Sequence, residues 1–164
     1  MITSKHIKYA LLNYFRFNRQ FVVGTEVNNA DVMAYSDKKT IEVEIKISVG
    51  DLNKDKKKRK HYYLKNLLND IYFTKRCPNL FYFCVLPEME QQARKLIYEL
   101  NLNYGLIIYY HDRCISDKIK IIKRAKNLHD YYSLSIKDSI IKRINSELIN
   151  FYGREFHWWK TFFT

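Results

Sequence analysis

The segment TIEVEIKIS (40–48) alternates apolar and polar residues without interruption. Successive side chains of an extended strand point to opposite faces of a sheet. One face of the segment carries Ile41, Val43, Ile45 and Ile47. The other face carries Glu42, Glu44, Lys46 and Ser48. The segment is therefore predicted to be a β-strand with one apolar and one polar face.

Two further strands are predicted upstream of this segment. FVVGTEV (21–27) and ADVMAY (30–35) are rich in apolar residues and are separated by Asn28-Asn29. Asparagine tolerates the left-handed backbone geometry of a tight hairpin, and residues 36–39 are predicted to form a polar turn. Strands joined by short turns pair with their neighbours, so residues 21–48 are predicted to form a three-stranded antiparallel meander.

Helices are predicted both before and after the meander in the sequence, and two buried strands are predicted after it. Thr3 or Ser4 can cap a first helix, and the apolar spacing becomes helical again after Gly50 and Asp51. The apolar stripe of this second helix consists of Leu64, Leu67, Leu68, Ile71 and Tyr72. The runs LFYFCVL (80–86) and GLIIYY (105–110) are typical of strands buried on both faces.

The remaining elements complete one domain over residues 1–164. Pro87 suits the start of a helix that ends near residue 100, and KIKIIKRA (118–125) is predicted as a more exposed strand. A last helix is predicted over 135–152, with one apolar face made of Ile136, Ile140, Ile141, Ile144 and Leu148. The order αβββαβαββα predicts an α/β fold in which strands that follow a helix join a mixed sheet in parallel.

The C-terminal part, 129–164, consists of the last helix and an aromatic tail, FYGREFHWWKTFFT (151–164). Aromatic rings beside Arg154 and Lys160 could stack on single-stranded bases. Such tails more often pack on the core or against a partner subunit, here in a homodimer, and this second interpretation is favoured.

The chain is strongly basic. Lys and Arg number 29 against 17 Asp and Glu, which gives a formal net charge of +12. A basic surface of this size favours polyanions, and nucleic acid is favoured over an anionic membrane because no basic amphipathic helix dominates. The three cysteines form no CxxC pair, and neither a signal peptide nor a membrane span is predicted. A cytoplasmic protein with reduced thiols is expected.

Acidic and basic side chains of the meander form a candidate site. Glu44 and Lys46 lie two positions apart on one strand face, so their side chains project in the same direction about 7 Å apart. Asp31, on the neighbouring strand, can reach the same place, and Glu26 can join as a further ligand or as an orienting group. Carboxylates bind Mg²⁺, and lysine supplies a compact positive charge, as hydrolysis of a phosphodiester requires.

A less specific interpretation of the same residues is a solvated sheet face, since the Glu-x-Lys pattern is common. Two observations favour a site: Asp31 on the partner strand and the basic run that follows. This run contains Lys54, Lys56, Lys57, Lys58, Arg59 and Lys60. The residues predicted to contact nucleic-acid phosphates are Lys56, Lys57, Lys58, Arg59, Lys60 and His61. A solvated helix face is the alternative, but adjacent like charges repel each other without a partner.

The spacing of Asp31, Glu44 and Lys46 resembles the PD-(D/E)XK nuclease superfamily. The stretches TEV (25–27), ADVMA (30–34), EIKIS (44–48) with Asp51 and Asp55, FYFCVLPE (81–88) and GLI (105–107) are similar to the MmcB branch of bacterial DNA-repair nucleases. Ala30 stands where the superfamily motif has proline, and Asn29 stands where relatives of this branch tend to carry arginine. The resemblance covers about residues 5–128.

The resemblance implies a restriction-endonuclease-like fold and a two-carboxylate centre for Mg²⁺ or Mn²⁺. Asp31 and Glu44 would be the metal ligands, with the carbonyl of Ile45 as a third oxygen. Lys46 would position or activate the attacking water, and cleavage would leave 5′-phosphate and 3′-hydroxyl ends.

We therefore expect a metal-dependent DNA endonuclease. A catalytically inactive DNA-binding module with the same fold and an RNA nuclease stay open as alternatives.

Overall fold

The strand that contains residues 40–46 lies inside a six-stranded mixed sheet. The computed structural model describes residues 2–36, 39–66, 77–131 and 134–161, with side chains described as far as residue 154. The strands are β1 (Val22–Val27), β2 (Ala30–Ser36), β3 (Lys39–Lys46), β4 (Leu80–Val85), β5 (Gly105–Tyr109) and β6 (Ile119–Lys123). They lie in the sheet in the same order as in the sequence.

The predicted meander is confirmed. β1 pairs with β2 and β2 pairs with β3, both antiparallel. Asn28 and Asn29 form the first turn with φ values of 53° and 64°, the left-handed geometry that a two-residue hairpin needs. β4 adds parallel to β3, and β5 adds parallel to β4. β6 follows β5 without an intervening α-helix and is antiparallel to it.

Five α-helices flank the sheet in the described parts of the chain: α1 (Ser4–Asn13), α2 (Val49–Lys54), α3 (Arg59–Lys65), α4 (Glu90–Leu100) and α5 (Leu134–Thr161). Thr3 is the N-cap of α1, as predicted, and Ser48 is the N-cap of α2, where its Oγ accepts a hydrogen bond from the amide of Asp51. The described elements follow the predicted order, except that α2 and α3 stand where one helix was predicted after β3.

This replacement corrects the prediction of one continuous helix after β3. A 3₁₀ turn (Asp55–Lys57) and the extended residue Lys58, with φ −72° and ψ 124°, separate α2 from α3. Leu64 is buried, as its place in the apolar stripe predicts. The other members of that stripe, Leu67, Leu68, Ile71 and Tyr72, lie outside the described residues.

Helices cover both faces of the sheet. Phe81 and Phe83 stand opposite Glu42 and Glu44 in the parallel β3–β4 register, so these four side chains share a face. His61 of α3 packs against both phenylalanine rings, which places α3 on that face. α1 packs against β2 and β3 and covers the opposite face, where Val43 is buried.

α5 packs on the strand pair β1–β2. Its residues Ile136 and Ile140 are fully buried in a second apolar cluster, and Ile144 packs against that cluster. The predicted apolar face was too wide, because Ile141 is 38% exposed and Leu148 is 51% exposed. The buried residues recur every four positions, whereas Ile141 lies about 100° further round the helix.

A glycine permits this close packing of α5. A Cβ atom on Gly24 would lie 3.3 Å from the side chain of Ile140. Further along, Phe151 and Tyr152 are more than half exposed, so this part of the aromatic tail contacts the domain little. The side chains of 155–164 lie outside the described residues. Among the described helices, none has the length and apolar character required to cross a membrane.

Candidate active site

Both faces of β3 are buried, so the interpretation of its polar side as a solvated sheet face was wrong. Glu42, Glu44 and Lys46 are 4%, 6% and 3% exposed. Charged side chains are rarely buried to this degree unless partners compensate them. Six charged residues provide that compensation together, and we name them the carboxylate–lysine cluster: Glu42, Glu44, Lys46, Asp55, Lys58 and Lys60.

Glu44 contacts all three lysines of the cluster. Its Oε1 lies 3.0 Å from Nζ of Lys46 and 2.5 Å from Nζ of Lys58, and its Oε2 lies 3.5 Å from Nζ of Lys60. Burial acts to raise the pKa of Glu44, but the three ammonium groups outweigh it, so the pKa lies below its ordinary value. Glu44 is therefore an ionised carboxylate in the interior of the protein.

Asp55 is the second anionic centre of the cluster and is only 1% exposed. Nζ of Lys46 and Nζ of Lys58 each lie 2.8 Å from its Oδ1. Burial acts to raise the pKa of Asp55, but its contacts with His61, Lys46 and Lys58 lower it well below its usual range. Lys46 thus lies between two ionised carboxylates, with Asp51 Oδ2 a further 3.8 Å contact.

Glu42 and Lys60 form the third part of the cluster. Their side chains are in direct ionic contact, and Nζ of Lys60 lies 5.2 Å from the ring centre of Phe81. Burial raises the pKa of Glu42 in spite of this lysine. Burial acts to lower the pKa of Lys60, but Glu42 and Glu44 outweigh it and raise the pKa above its ordinary value.

A pocket of about 370 Å³ opens beside the cluster. Its lining includes Glu42, Glu44, Lys58 and Lys60, together with the hairpin residues Asn28 and Asn29. The largely buried carboxylate of Glu44 is thus reached through a pocket that also carries two lysines. This geometry suits a ligand that carries negative charge on its outside and needs a cation at its reacting group.

Asp31 lies on the neighbouring strand β2 and has different partners from the cluster. Its Oδ2 accepts a hydrogen bond of 2.8 Å from the backbone amide of Ile45, the residue between Glu44 and Lys46. Its Oδ1 lies 3.3 Å from Nζ of Lys8. The structure therefore brings Asp31 to the backbone of the Glu-x-Lys segment.

Glu26 belongs to this second group and not to the carboxylate–lysine cluster. Its side chain contacts Nζ of Lys8, and its backbone has a φ of 54°, left-handed geometry next to the hairpin turn. Burial acts to lower the pKa of Lys8, but the contacts with Glu26 and Asp31 outweigh it and raise the pKa. Lys8 therefore neutralises the two acids that the sequence placed near the site.

The predicted phosphate-contacting residues divide into two sets. Lys58 and Lys60 turn inward to the cluster, and His61 is buried beneath them at 4% exposure. Lys56 lies at the surface, 2.5 Å from Oε2 of Glu99. Lys57 and Arg59 are exposed, and no ion pair joins either of them to another described residue. His61 is therefore buried against Asp55 and is not at the surface where it could contact a phosphate. Only part of the basic run faces solvent.

The site residues that sequence reasoning missed are Glu42 and Asp55. Glu42 lies two positions before Glu44 on the same strand face, so the alternation alone could have included it. Asp55 is an acid within the basic run, in KDKKKRK (54–60), and an isolated acid among lysines is a signal for an internal ion pair. Its burial depends on the 3₁₀ turn, which the helical spacing did not predict.

The donor atoms near Ile45 are oxygens, the ligand type that hard divalent cations prefer. Asp31 and Glu44 supply carboxylate oxygens, and Ile45, whose amide donates to Asp31, directly follows Glu44 in the chain and supplies a carbonyl oxygen. Among the described residues, no three His, Cys, Asp or Glu side chains are grouped as ligands of one ion. Mg²⁺ commonly uses one or two carboxylates and completes its shell with water and substrate phosphate oxygens, so two carboxylates are sufficient.

Comparison with known proteins gives no match: no family model, no curated protein and no solved structure matches this chain. What the chain does must therefore be argued from its own residues. The fold is mixed α/β with a six-stranded sheet flanked by helices.

Proposed function

We propose that the chain is a divalent-metal-dependent endonuclease of the PD-(D/E)XK type that hydrolyses DNA. The observation that carries the proposal is the pairing of Glu44 and Lys46. Their side chains are 3.0 Å apart on one buried strand face, while Glu44 also lines a pocket to which Lys58 and Lys60 contribute ammonium groups. An ionised carboxylate, a lysine and an opening for a polyanion are the components that phosphodiester hydrolysis needs.

The arrangement of the strands also supports the proposal. The antiparallel β1–β2–β3 meander followed by a parallel β4 presents Asp31 and Glu44 on neighbouring strands. In this proposal the fold is restriction-endonuclease-like. Asp31 and Glu44 hold Mg²⁺ or Mn²⁺ with the Ile45 carbonyl, and Glu26 orients the carboxylate side of the site through Lys8.

The bound cation would supply Lewis-acid polarisation of the phosphodiester. The other roles, donation to the reacting groups and binding of phosphate, fall to lysines of the chain. Lys46 donates to the attacking water or to the developing charge on phosphate, since its ammonium group is compact and carries three donors. Lys58 and Lys60 have 41% and 28% exposed side chains, line the pocket and can turn from Glu44 and Glu42 towards backbone phosphates. The products carry 5′-phosphate and 3′-hydroxyl ends.

Plasmid cleavage tests this function. Supercoiled, linear and branched DNA and single-stranded RNA are incubated with the protein and Mg²⁺ or Mn²⁺. We expect cleavage of at least one DNA form, and a loss of about 100-fold or more in rate for Lys46→Ala. Lys142→Ala is the matched control, because it removes an exposed lysine of α5 that lies outside the predicted phosphate-contacting run. Equal rates for Lys46→Ala and wild type would exclude this site.

Metal binding is tested separately by calorimetry. Asp31→Asn and Glu44→Gln keep the side-chain volume and remove the charge, so each should weaken Mn²⁺ binding by about tenfold or more. Asp112→Asn is the control, because Asp112 lies in an exposed turn. Unaltered Mn²⁺ affinity in both site variants would exclude the two-carboxylate centre.

A specific observation favours a second candidate, a DNA-binding module without catalysis. Glu44 is in contact with Lys46, Lys58 and Lys60, so its charge is compensated by the protein itself. A binding module predicts DNA affinity that is independent of divalent ions, with no cleavage of any DNA or RNA. If RNA alone is cleaved, the same site acts as a ribonuclease.

A further inference from the structure

Asp55 is a buried acid on the 3₁₀ turn between α2 and α3, and its carboxylate contacts Lys46 on the polar face of the sheet. A carboxylate that is 1% exposed costs several kcal/mol in desolvation unless its partners compensate. Its two oxygens face different partners. Oδ1 faces the ammonium groups of Lys46 and Lys58, and Oδ2 lies 3.4 Å from Nε2 of His61.

His61 is in turn held from its other side. Its Nδ1 lies 3.0 Å from the hydroxyl of Tyr104, which is fully buried. A carboxylate only accepts hydrogen bonds, so in a neutral ring the proton is on Nε2, and Nδ1 accepts from the tyrosine hydroxyl. Phe81 and Phe83 pack around the ring with centroid distances of 5.6 and 5.8 Å and restrict its rotation.

We propose that Tyr104, His61 and Asp55 form a positioning chain that holds the ammonium group of Lys46 beside Glu44. Lysine has a flexible four-carbon stem, and one strand-borne contact does not fix where its charge lies. Glu44 holds Nζ from β3, and Asp55 holds it at 2.8 Å from a separate turn. Asp55 is therefore a positioning residue. Its consequence for catalysis rests on the proposed function, but its effect on Lys46 does not.

A purely structural role would make the same contacts, so the test must observe Lys46 itself. Protein labelled with ¹⁵N-lysine gives an ammonium signal for a buried, paired lysine, whose protons exchange slowly with water. Lys46 is 3% exposed and is expected to give such a signal. Lys46→Arg assigns it by its disappearance. The measured quantity is the exchange rate of the Lys46 ammonium protons.

Two variants act on Lys46 from different distances. Asp55→Asn removes the charge that contacts Nζ, and the exchange rate should rise by about tenfold, as expected for loss of one close, buried ion-pair contact. Tyr104→Phe removes only a hydroxyl that makes no contact with Lys46, and a smaller rise of about two- to threefold should follow through His61. Tyr98→Phe is the matched control, because Tyr98 is 76% exposed, and it should leave the signal unchanged.

The outcomes separate this inference from the proposed function. A faster-exchanging or shifted Lys46 signal in Tyr104→Phe and Asp55→Asn supports the chain, whether or not the protein cleaves DNA. An unchanged signal in folded Tyr104→Phe overturns it, and this variant decides the matter if Asp55→Asn does not fold. Where wild type cleaves DNA, kcat should fall in both variants while KM for DNA stays constant. Cleavage that depends on Lys46 but not on Asp55 or Tyr104 would also overturn it.

Discussion

The two faces of β3 are buried to the same extent but are stabilised in different ways. On one face Ile41, Val43 and Ile45 pack in the apolar core, where burial itself is favourable. On the other face Glu42, Glu44 and Lys46 are buried only because Asp55, Lys58 and Lys60 compensate their charges. Apolar packing tolerates substitutions of similar volume, whereas a buried charge depends on particular partners.

This difference indicates where the chain buries charges that add little to its stability. A buried ion pair is often no more stabilising than apolar residues of similar volume, since desolvation offsets the attraction. Charges in the interior of a β-sheet therefore suggest a function, and the pocket beside Glu44 gives them access to a ligand. Four predictions test the contrast between the two faces.

The largest expected effect is on the polar face. Asp55→Ala would leave Lys46 without one of its two close carboxylates and would leave His61 Nε2 without its acceptor. Removal of one partner from a buried pair costs about 3–5 kcal/mol, so the free energy of unfolding should fall by that amount. Urea denaturation measures it. A loss below about 1 kcal/mol would mean that water or Glu44 replaces Asp55.

A substitution on the apolar face should lower the free energy of unfolding by less and should leave the proposed cleavage activity unchanged. Val43 is fully buried, and Val43→Ala removes two methyl groups and leaves a small cavity, at a cost of about 2 kcal/mol. Cleavage activity at a temperature where the variant is folded should stay near that of wild type. A strong loss of activity in a folded Val43→Ala protein would contradict the separation of the two faces.

The pH dependence of stability should come from the polar face. The pKa values of Asp55 and Glu44 are lower in the folded chain than in the unfolded chain. Their contribution is therefore present above the unfolded pKa, near 4, and is lost as pH falls through the folded values. The raised pKa of Glu42 acts in the opposite direction and offsets part of this loss.

We expect about 1–2 kcal/mol of wild-type stability from Asp55 to disappear between pH 6 and pH 3. Asp55→Asn has no such titration, so its stability should vary less over that range. Parallel urea titrations of the two proteins give the comparison. If the difference between them is constant with pH, Asp55 is not an ionised partner of Lys46.

The smallest effect is expected from the basic residues that take no part in the cluster. Lys57 is exposed, so Lys57→Ala should change stability by less than about 0.5 kcal/mol. Its loss should weaken DNA binding a few-fold and reduce the slope of log K against log salt by about 1. Lys142→Ala on α5 is the control for the same change of charge. Equal salt slopes in all three proteins would place Lys57 outside the DNA-contacting surface.

Much of the fold follows from local patterns in the sequence. The alternation in residues 40–48 predicted β3, and the Asn28-Asn29 pair predicted the hairpin, because both depend on the chain's immediate geometry. The alternation also predicted that Glu44 and Lys46 lie on one face of β3, and in the structure their side chains are in contact there. The helix after β3 was predicted less well, because an apolar spacing does not reveal the 3₁₀ turn that places Asp55 in the interior.

The sequence by itself thus determined the order of elements along the chain, the hairpin and the shared face of Glu44 and Lys46. Only the tertiary structure decided that this face is buried, and that Lys58 and Lys60 turn inward while Lys57 and Arg59 remain at the surface. It also decided that Asp31 contacts Lys8 and the Ile45 amide. The physical reason is that periodicity fixes the direction of a side chain, whereas its charge partners depend on elements that meet only when the chain folds.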